Sequence, residues 1–349
     1  MNKNVGFIAV GQAGGNIGDL LEKKGYEVFY INTSPKDLQT LETAKYKFVL
    51  TNGEGCSNDR ERAKRHVVSD FVSIKENIDK KLGSKDLYVV IFSSGGGTGS
   101  GASPMLIDLL QHETKIPICA VTIIPSDQEG LRKQMNSYDC FSELGNINGL
   151  GATFIIDNNK GDIIELNHRF VDLFDQLLQL PEHIHHKGII DESEVKELLH
   201  TKGAAFLGQR VIKDKDSVDI TEIIEQSIFA PVESDKVIKY IALSTSAAVN
   251  VDQLIEKYGR PLDVFNGRNK ERTLLIMAGL SYPYAVFDKM LKTVEDNKDS
   301  VLKNIEINRT VKMTSGINFL KLSEISNEQK LQPAQHATTN DILSKYVKV

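Results

Sequence analysis

The apolar positions along the first half of the chain follow two rhythms. Short unbroken apolar runs alternate with longer stretches in which apolar residues return every three or four positions. "NVGFIAV", "EVFYIN", "KFVL", "LYVVIF", "IPICAVTII" and "ATFIID" are the unbroken runs. They are short and rich in β-branched and aromatic residues, and they read as strands. Between them, "GGNIGDLLEKKG", "SNDRERAKRHVVSDFVSIKENIDKKLG", "ASPMLIDLLQHET" and "EGLRKQMNSYDCFSELGNIN" read as helices. Strands apolar on both faces, alternating with amphipathic helices, predict an α/β fold with a parallel sheet covered on both sides. Ligands of such sheets bind at the carboxyl ends of the strands.

From Asp162 to about His186 the pattern is helical and apolar on more than one face, through Leu166, Phe170, Phe174 and Leu177. It predicts a helix sandwiched between two bodies. Beyond it, "AAFLGQRVI", "KVIKYIALSTSA" and "RTLLIMAG" read as strands, and "ITEIIEQSIF", "VDQLIEKYG" and "AVFDKMLKTVEDN" as helices. These predict a second, smaller α/β unit. The expected division is a ligand-binding domain over 1–161, a central helix over 162–187, a smaller α/β domain over 188–312 and a tail over 313–349. The tail stretch "EISNEQKLQPAQHATTND" is too poor in apolar residues to fold alone, which suits a partner-binding segment.

Composition narrows the class. The 349 residues are 40% hydrophobic and 26% charged, with a formal net charge of -5. This is the make-up of a soluble globular protein and argues against broad adhesion to nucleic acid. No apolar run approaches the roughly 20 residues of a membrane helix. The opening "MNKNVGFIAVGQAGG" reads as a strand entering a glycine loop, not as a secretory signal. Cys56, Cys119 and Cys140 are scattered, with no CxxC pair. They fit a reducing cytoplasm and predict neither a disulfide nor a zinc site.

Two glycine-rich stretches follow strands: "GQAGGNIG" (Gly11 to Gly18) and "GGGTGSG" (Gly95 to Gly101). Glycine lets backbone N–H groups converge without Cβ obstruction, and a helix starting just after adds the positive end of its dipole. Such a cradle binds phosphate. Two cradles at neighbouring strand ends imply a polyphosphate; the competing reading is a pair of tight strand-to-helix turns. The Walker pattern is absent, since no Gly-Lys-Ser/Thr occurs. The dinucleotide pattern GxGxxG fails at Ala13, and Asn32 stands where an acidic residue should end the second strand. "NKGD" (Asn159 to Asp162) matches the guanine-reading NKxD of switch GTPases, but without a Walker loop it is a decoy.

"GGGTGSG" resembles the signature of the tubulin/FtsZ superfamily, and "GQAGGNIG" is similar to tubulin's first loop. Further similar stretches follow in family order: "INTS", "GEGCSNDRERA" with Gly53 and Gly55 in register, "PSDQEG", and "FIIDNNK". The resemblance covers about residues 4 to 300 and is strongest to the TubZ branch, the phage and plasmid segregation tubulins. It implies GTP and GDP as ligands, with Mg2+ on the phosphates and no dedicated protein cage for the metal. Gly11, Gln12 and Ala13, with Gly96, Gly97, Thr98 and Gly99, are the implied phosphate contacts, and Asn16 and Gly95 are further implied nucleotide-binding residues. Glu129 is the implied ribose contact, and Asn158 and Asn167 the implied readers of sugar and guanine. FtsZ has an arginine where this chain has Lys133, and Arg132 lies one position earlier.

The resemblance also implies that a loop of the next subunit completes hydrolysis, with Asp191 and Glu194 of "GIIDESEVKELL" at the acidic positions. The family's asparagine two positions before this aspartate is Ile189 here. Read from the residues alone, Asp191 and Glu194 make a capping-box-like helix start. Both roles are compatible. The expectation is a cytoplasmic GTPase that polymerises head to tail, partners itself, and reaches a DNA-bound adaptor through its tail. A division-type GTPase, and a nucleotide-bound filament protein without turnover, are the alternatives.

Overall fold

The computed structural model describes residues 4–51, 53–182, 188–212 and 217–307. Its first half alternates as the apolar pattern predicts. β1 (Val5–Val10), α1 (Gly11–Lys23), β2 (Glu27–Asn32), α2 (Pro35–Gln39) and β3 (Tyr46–Val49) come first. α3 (Arg60–Leu82), β4 (Leu87–Ser93), α4 (Thr98–Glu113), β5 (Ile118–Ile124), α5 (Leu131–Gly145) and β6 (Leu150–Asp157) follow. These six strands run parallel, in the spatial order β6-β5-β4-β1-β2-β3. β1, β5 and β6 are buried along their whole lengths, which is why their sequences are unbroken apolar runs and not alternating ones.

α6 (Ile163–Gln179) crosses from this sheet to the second half. It is shorter than the pattern over 162–187 predicts. The helix gives way to a tight turn at Leu180–Glu182: Leu180 is still helical in backbone, but Pro181 has no N–H to continue the ladder of hydrogen bonds. Residues 183–187 lie outside the described residues. The sandwich itself is present. Phe174 meets Phe7 of β1 and Phe154 of β6 at 6.0 and 5.5 Å between ring centroids. Phe170 meets Phe229, which in turn meets Phe206 in the second half.

The second half contributes α7 (Glu192–His200), β7 (Gly203–Val211), β8 (Ser217–Val218), α8 (Ile220–Glu225), β9 (Tyr240–Ser244) and β10 (Ala248–Val249). α9 (Asp252–Tyr258), β11 (Asp263–Gly267), β12 (Arg272–Leu280) and α10 (Tyr284–Ile307) complete it. Its four longer strands extend the first sheet to ten strands, in the order β11-β9-β12-β7 and then β6. The join is parallel and short, three register pairs from Ala152–Gly203 to Phe154–Ala205. β12 runs antiparallel to both its neighbours. The tail expected over 313–349, with its proposed partner-binding role, lies outside the described residues.

The parallel strands give the molecule two poles. α1 begins at the carboxyl end of β1 and α4 beyond that of β4. α6 starts past the carboxyl end of β6 and runs back about 25 Å at 1.5 Å per residue. Near its far end, Asp175 accepts from the Tyr26 hydroxyl (2.6 Å) and from Lys24 (3.2 Å), beside the amino end of β2. α7 stays at that pole: Lys196 pairs with Asp86, just before β4, at 3.0 Å, and the Leu199 carbonyl accepts from Cys119 near the start of β5.

α1 lies unusually close to the sheet. A Cβ on Gly14 would stand 2.2 Å from the Ile91 carbonyl oxygen of β4. Gly14→Ala must therefore push helix and sheet apart, with an expected loss of about 1–3 kcal/mol. Urea unfolding against the parent chain measures it; an unchanged midpoint would show that α1 can slide freely.

Candidate functional site

The site grows from two helix starts. Gly11 opens α1 with φ +73°, a conformation that side chains resist, and a Cβ there would come within 3.1 Å of the Gly99 backbone nitrogen. The stretch Gly11 to Gly18, expected as a loop, is instead the first turns of α1. Likewise α4 begins at Thr98, so the second loop proper is only Ser94 to Gly97. Close backbone packing is the job of particular glycines in these stretches. A Cβ on Gly97 would fall 2.8 Å from the Asn58 backbone, and one on Gly101 2.3 Å from the Arg60 carbonyl. Gly96 would meet nothing within 4 Å.

The capping pattern separates these two helices from most others. Ser34, Asp59, Asp162, Asp191 and Asp219 cap α2, α3, α6, α7 and α8 with their side chains. α1 and α4 start from Val10 and Gly97, with no side-chain cap and no acidic residue in the first turn. Their first-turn N–H groups have no partner within the helix, and the positive ends of two dipoles converge. An anion held between them would supply what both helices lack.

Between them lies a cavity of about 390 Å³. Its wall includes Gly11, Gln12 and Ala13, the run Gly95 to Gly99 with Thr98, and Glu129 and Lys133. Lys133, and not the exposed Arg132, is the side of that pair that faces the cavity, and it is the only cation among the described lining residues. Lys133 pairs with Glu129 at 2.6 Å. Glu129 also accepts from the Ser126 backbone and the Asn158 amide. Burial pushes the Glu129 carboxyl upward, but the three hydrogen bonds outweigh it and hold the group below the usual glutamate range.

Three expected residues stand off the wall. Asn16 is exposed on α1, one turn beyond Gln12. Asn158 reaches the site through Glu129, at 3.2 Å. Asn167 is buried on α6, 6% exposed, and does not lie on the wall. Other wall residues went unsingled in the sequence. Thr33, Ser34 and Asp37 follow β2, and Cys56, Ser57 and Asn58 precede α3. The Thr33 and Thr98 hydroxyls lie 2.7 Å apart, and the Gly55 N–H donates to the Thr33 carbonyl at 3.1 Å. A polar triplet at a strand's carboxyl end was the available signal. "NKGD" is structural: Asn159 ties Asp127 to Asp157, and Asp162 caps α6.

Among the described residues no cluster of three or more His, Cys, Asp or Glu side chains stands ready to hold a metal. The donor set of the cavity, one carboxylate at Asp37 beside the Thr33, Ser34 and Thr98 hydroxyls, fits a Mg2+ ion carried chiefly by phosphate oxygens. The Cys119 and Cys140 thiols are pushed up to about 12 by burial and are inert.

Asp191 and Glu194 form a complete capping box. The Asp191 carboxylate accepts from the Glu194 N–H at 2.9 Å, and the Glu194 carboxylate accepts from the Asp191 N–H at 2.8 Å. They sit at the start of α7, at the pole opposite the cavity.

Because Glu129 has a depressed carboxyl, its contribution to stability is present above the ordinary glutamate range and is lost as pH falls through its own lower value. Glu129→Gln is expected to melt below the parent at pH 7, and the gap to close in acid. Thermal melts at the two pH values check this; a constant gap would remove the ionic account.

Residues 4–163 match the sequence profile of the Tubulin/FtsZ family, GTPase domain. The tubulin-like protein TubZ of Clostridium botulinum C phage is 28% identical over 303 residues, covering 85% of this chain and 84% of its own. The crystal structure of Clostridium botulinum phage c-st TubZ superposes with a TM-score of 0.77 at 25% identity, over 86% of this chain and all (100%) of that one. A GTPγS-form protofilament structure of TubZ from Bacillus thuringiensis serovar israelensis shares the fold, with a TM-score of 0.74 at 16% identity over 86% and 94% of the two chains. With the cavity built on its two glycine-rich stretches, the first half of this chain matches the GTPase domain of the tubulin/FtsZ family, and over most of its length the chain is similar to TubZ.

Proposed function

We propose that this protein binds GTP, hydrolyses it to GDP and phosphate, and assembles head to tail into filaments that segregate phage or plasmid DNA. The observation that carries the reading is the separation of parts. The cavity lies at the carboxyl ends of the strands, and Asp191 and Glu194 lie at the other pole. Stacking one subunit on the next brings the acidic pair of one to the cavity of the other, and such heterologous contacts propagate without closing. The Bacillus thuringiensis relative was crystallised as a protofilament. Exposed apolar side chains at both poles, Ile163 and Ile164 at the start of α6 and Ile189 before α7, suit burial between copies.

In the cavity the uncapped starts of α1 and α4 take the phosphates, and Thr98 adds a hydroxyl. Mg2+ bound with the nucleotide supplies charge neutralisation of the phosphate oxygens. Gly11, Gln12, Ala13 and Lys133 are assigned to the phosphate side and Glu129 to the ribose, with Asn16, Asn158 and Asn167 assigned to the nucleoside end. Both carboxylates of the described wall are already engaged, Glu129 by Lys133 and Asp37 by the Asn32 amide. A neighbour's Asp191 and Glu194 would orient a water and accept its proton as its oxygen attacks the γ-phosphorus. The bond to the β–γ bridging oxygen breaks, and GDP and phosphate depart. A DNA-bound adaptor is assigned to the tail.

The capping box favours one rival, a nucleotide-bound filament without turnover, because both carboxylates already have structural work. Glu194→Gln separates the two. Glutamine serves the capping box as well as glutamate does, but carries no charge. The variant is expected to melt with the parent, bind GTP, form persistent filaments and release phosphate at least tenfold more slowly. Parental phosphate release from a normally folded Glu194→Gln protein would sink the catalytic assignment.

Shared catalysis also demands that turnover per subunit rise with protein concentration above a threshold. Phosphate release measured across a dilution series, alongside light scattering, tests it. A rate per subunit that stays constant into dilutions without polymer would refute the split site.

A further inference from the structure

The two loops beside the cavity are held together from behind by a residue that does not touch it. Asn136 lies on α5, one turn beyond Lys133 and on the same helical face. Its amide nitrogen is 3.1 Å from the Asn58 carbonyl, 3.1 Å from the Gly95 carbonyl and 3.3 Å from the Gly96 carbonyl. Asn58 belongs to the loop before α3, and Gly95 and Gly96 to the loop before α4. Asn136 is 7% exposed, so water has little access to take its place.

Three carbonyl oxygens pointing at one spot repel one another unless a donor stands between them. An –NH2 group offers two hydrogens, enough to serve three acceptors when one is shared. The surrounding contacts make the spot critical. Gly97 and Asn58 touch backbone to backbone, as the 2.8 Å approach of a Cβ on Gly97 shows. The next residue, Ser137, grips Ser94 at 2.7 Å. Arg60, opening α3, holds both the side chain and the carbonyl of Ser100 in α4, and pairs with Glu143 of α5. The Arg60 bonds fasten the helices behind the loops and Ser137 holds the start of one loop; Asn136 spans the two loops.

We infer that Asn136 is a positioning residue that holds the Gly55–Asn58 loop and the Gly95–Gly97 loop as one wall of the phosphate cavity. The orientation of the backbone groups in both loops then depends on one carboxamide. This rests on the cavity being the nucleotide site, but the latch itself is a property of the empty protein.

The full-length chain carries the test, with two variants. Asn136→Asp keeps the shape and removes the donor; Asn136→Gln keeps the donor on a longer arm. Hydrogen–deuterium exchange without nucleotide is read in peptides covering 55–59 and 94–97. Affinity for a fluorescent GTP analogue is read below the assembling concentration. Asn136→Asp is expected to raise exchange in both loops together and to weaken binding tenfold or more. Asn136→Gln is expected to restore protection in both loops and to bind within threefold of the parent. Parental exchange in a folded Asn136→Asp protein, exchange raised in one loop alone, or equal losses in the two variants would overturn the inference. If Asn136→Asp does not fold, Asn136→Ser replaces it, with an expected threefold to tenfold loss and the same criteria. A parent chain that fails to bind guanine nucleotide would overturn the nucleotide reading, while the exchange data would still decide the latch.

Discussion

Two helices begin within contact distance of each other, and both begin without a cap. That constraint governs the rest of the molecule. α1 and α4 approach closely at Gly11, where a Cβ would come within 3.1 Å of the Gly99 nitrogen and φ is +73°. The approach demands that β1 and β4 be adjacent and parallel, as they are. It demands glycine wherever α4 passes the start of α3. It also leaves first-turn N–H groups aimed into one cavity, where the cost of leaving them unsatisfied is offset only by water or an anion. The cavity is therefore the necessary product of how the strands feed the helices.

Around that centre the side chains divide labour by position. Hydroxyl and amide groups at Thr33, Thr98 and Asn58 share the wall with the Lys133–Glu129 ion pair, while a larger ionic cluster is kept behind it. Arg60, Glu143 and Lys64 tie α3 to α5 away from the cavity. A polyphosphate would thus meet mainly backbone dipoles, with Lys133 the one cationic side chain in the described wall and already paired with a carboxylate. Binding through dipoles fixed by the fold requires little rearrangement when charge arrives, which is the condition under which such groups are most effective.

The fold was largely legible because buried parallel strands write themselves as unbroken apolar runs, and "LYVVIF" or "IPICAVTII" has no competing reading. β11, a half-exposed edge strand reading "DVFNG", carries no such run and gave no signal. The end of α6 was overrun because apolar spacing continues past Gln179, while Pro181 lacks the N–H that would continue the helix. At the site, the glycine loops were legible as a class, yet their individual jobs were not. Whether a glycine faces a ligand or another backbone depends on what the fold brings opposite, and for Gly97 that is Asn58, 39 positions earlier in the chain. The burial of Asn167 is likewise set by packing between distant segments, whereas the capping box of Asp191 and Glu194 is a contact between near neighbours and was legible.

The capping box at α7 has an entropic consequence. A glutamate free in solvent loses up to about 2 kcal/mol of rotamer freedom when a surface closes over it. Glu194 gives up much of that freedom when α7 forms, because the Asp191 N–H already fixes its carboxylate. Asp191 is fixed in the same way by the Glu194 N–H. The disorder penalty is thereby moved from association to folding, and a partner arriving at this pole meets two carboxylates whose directions are already set.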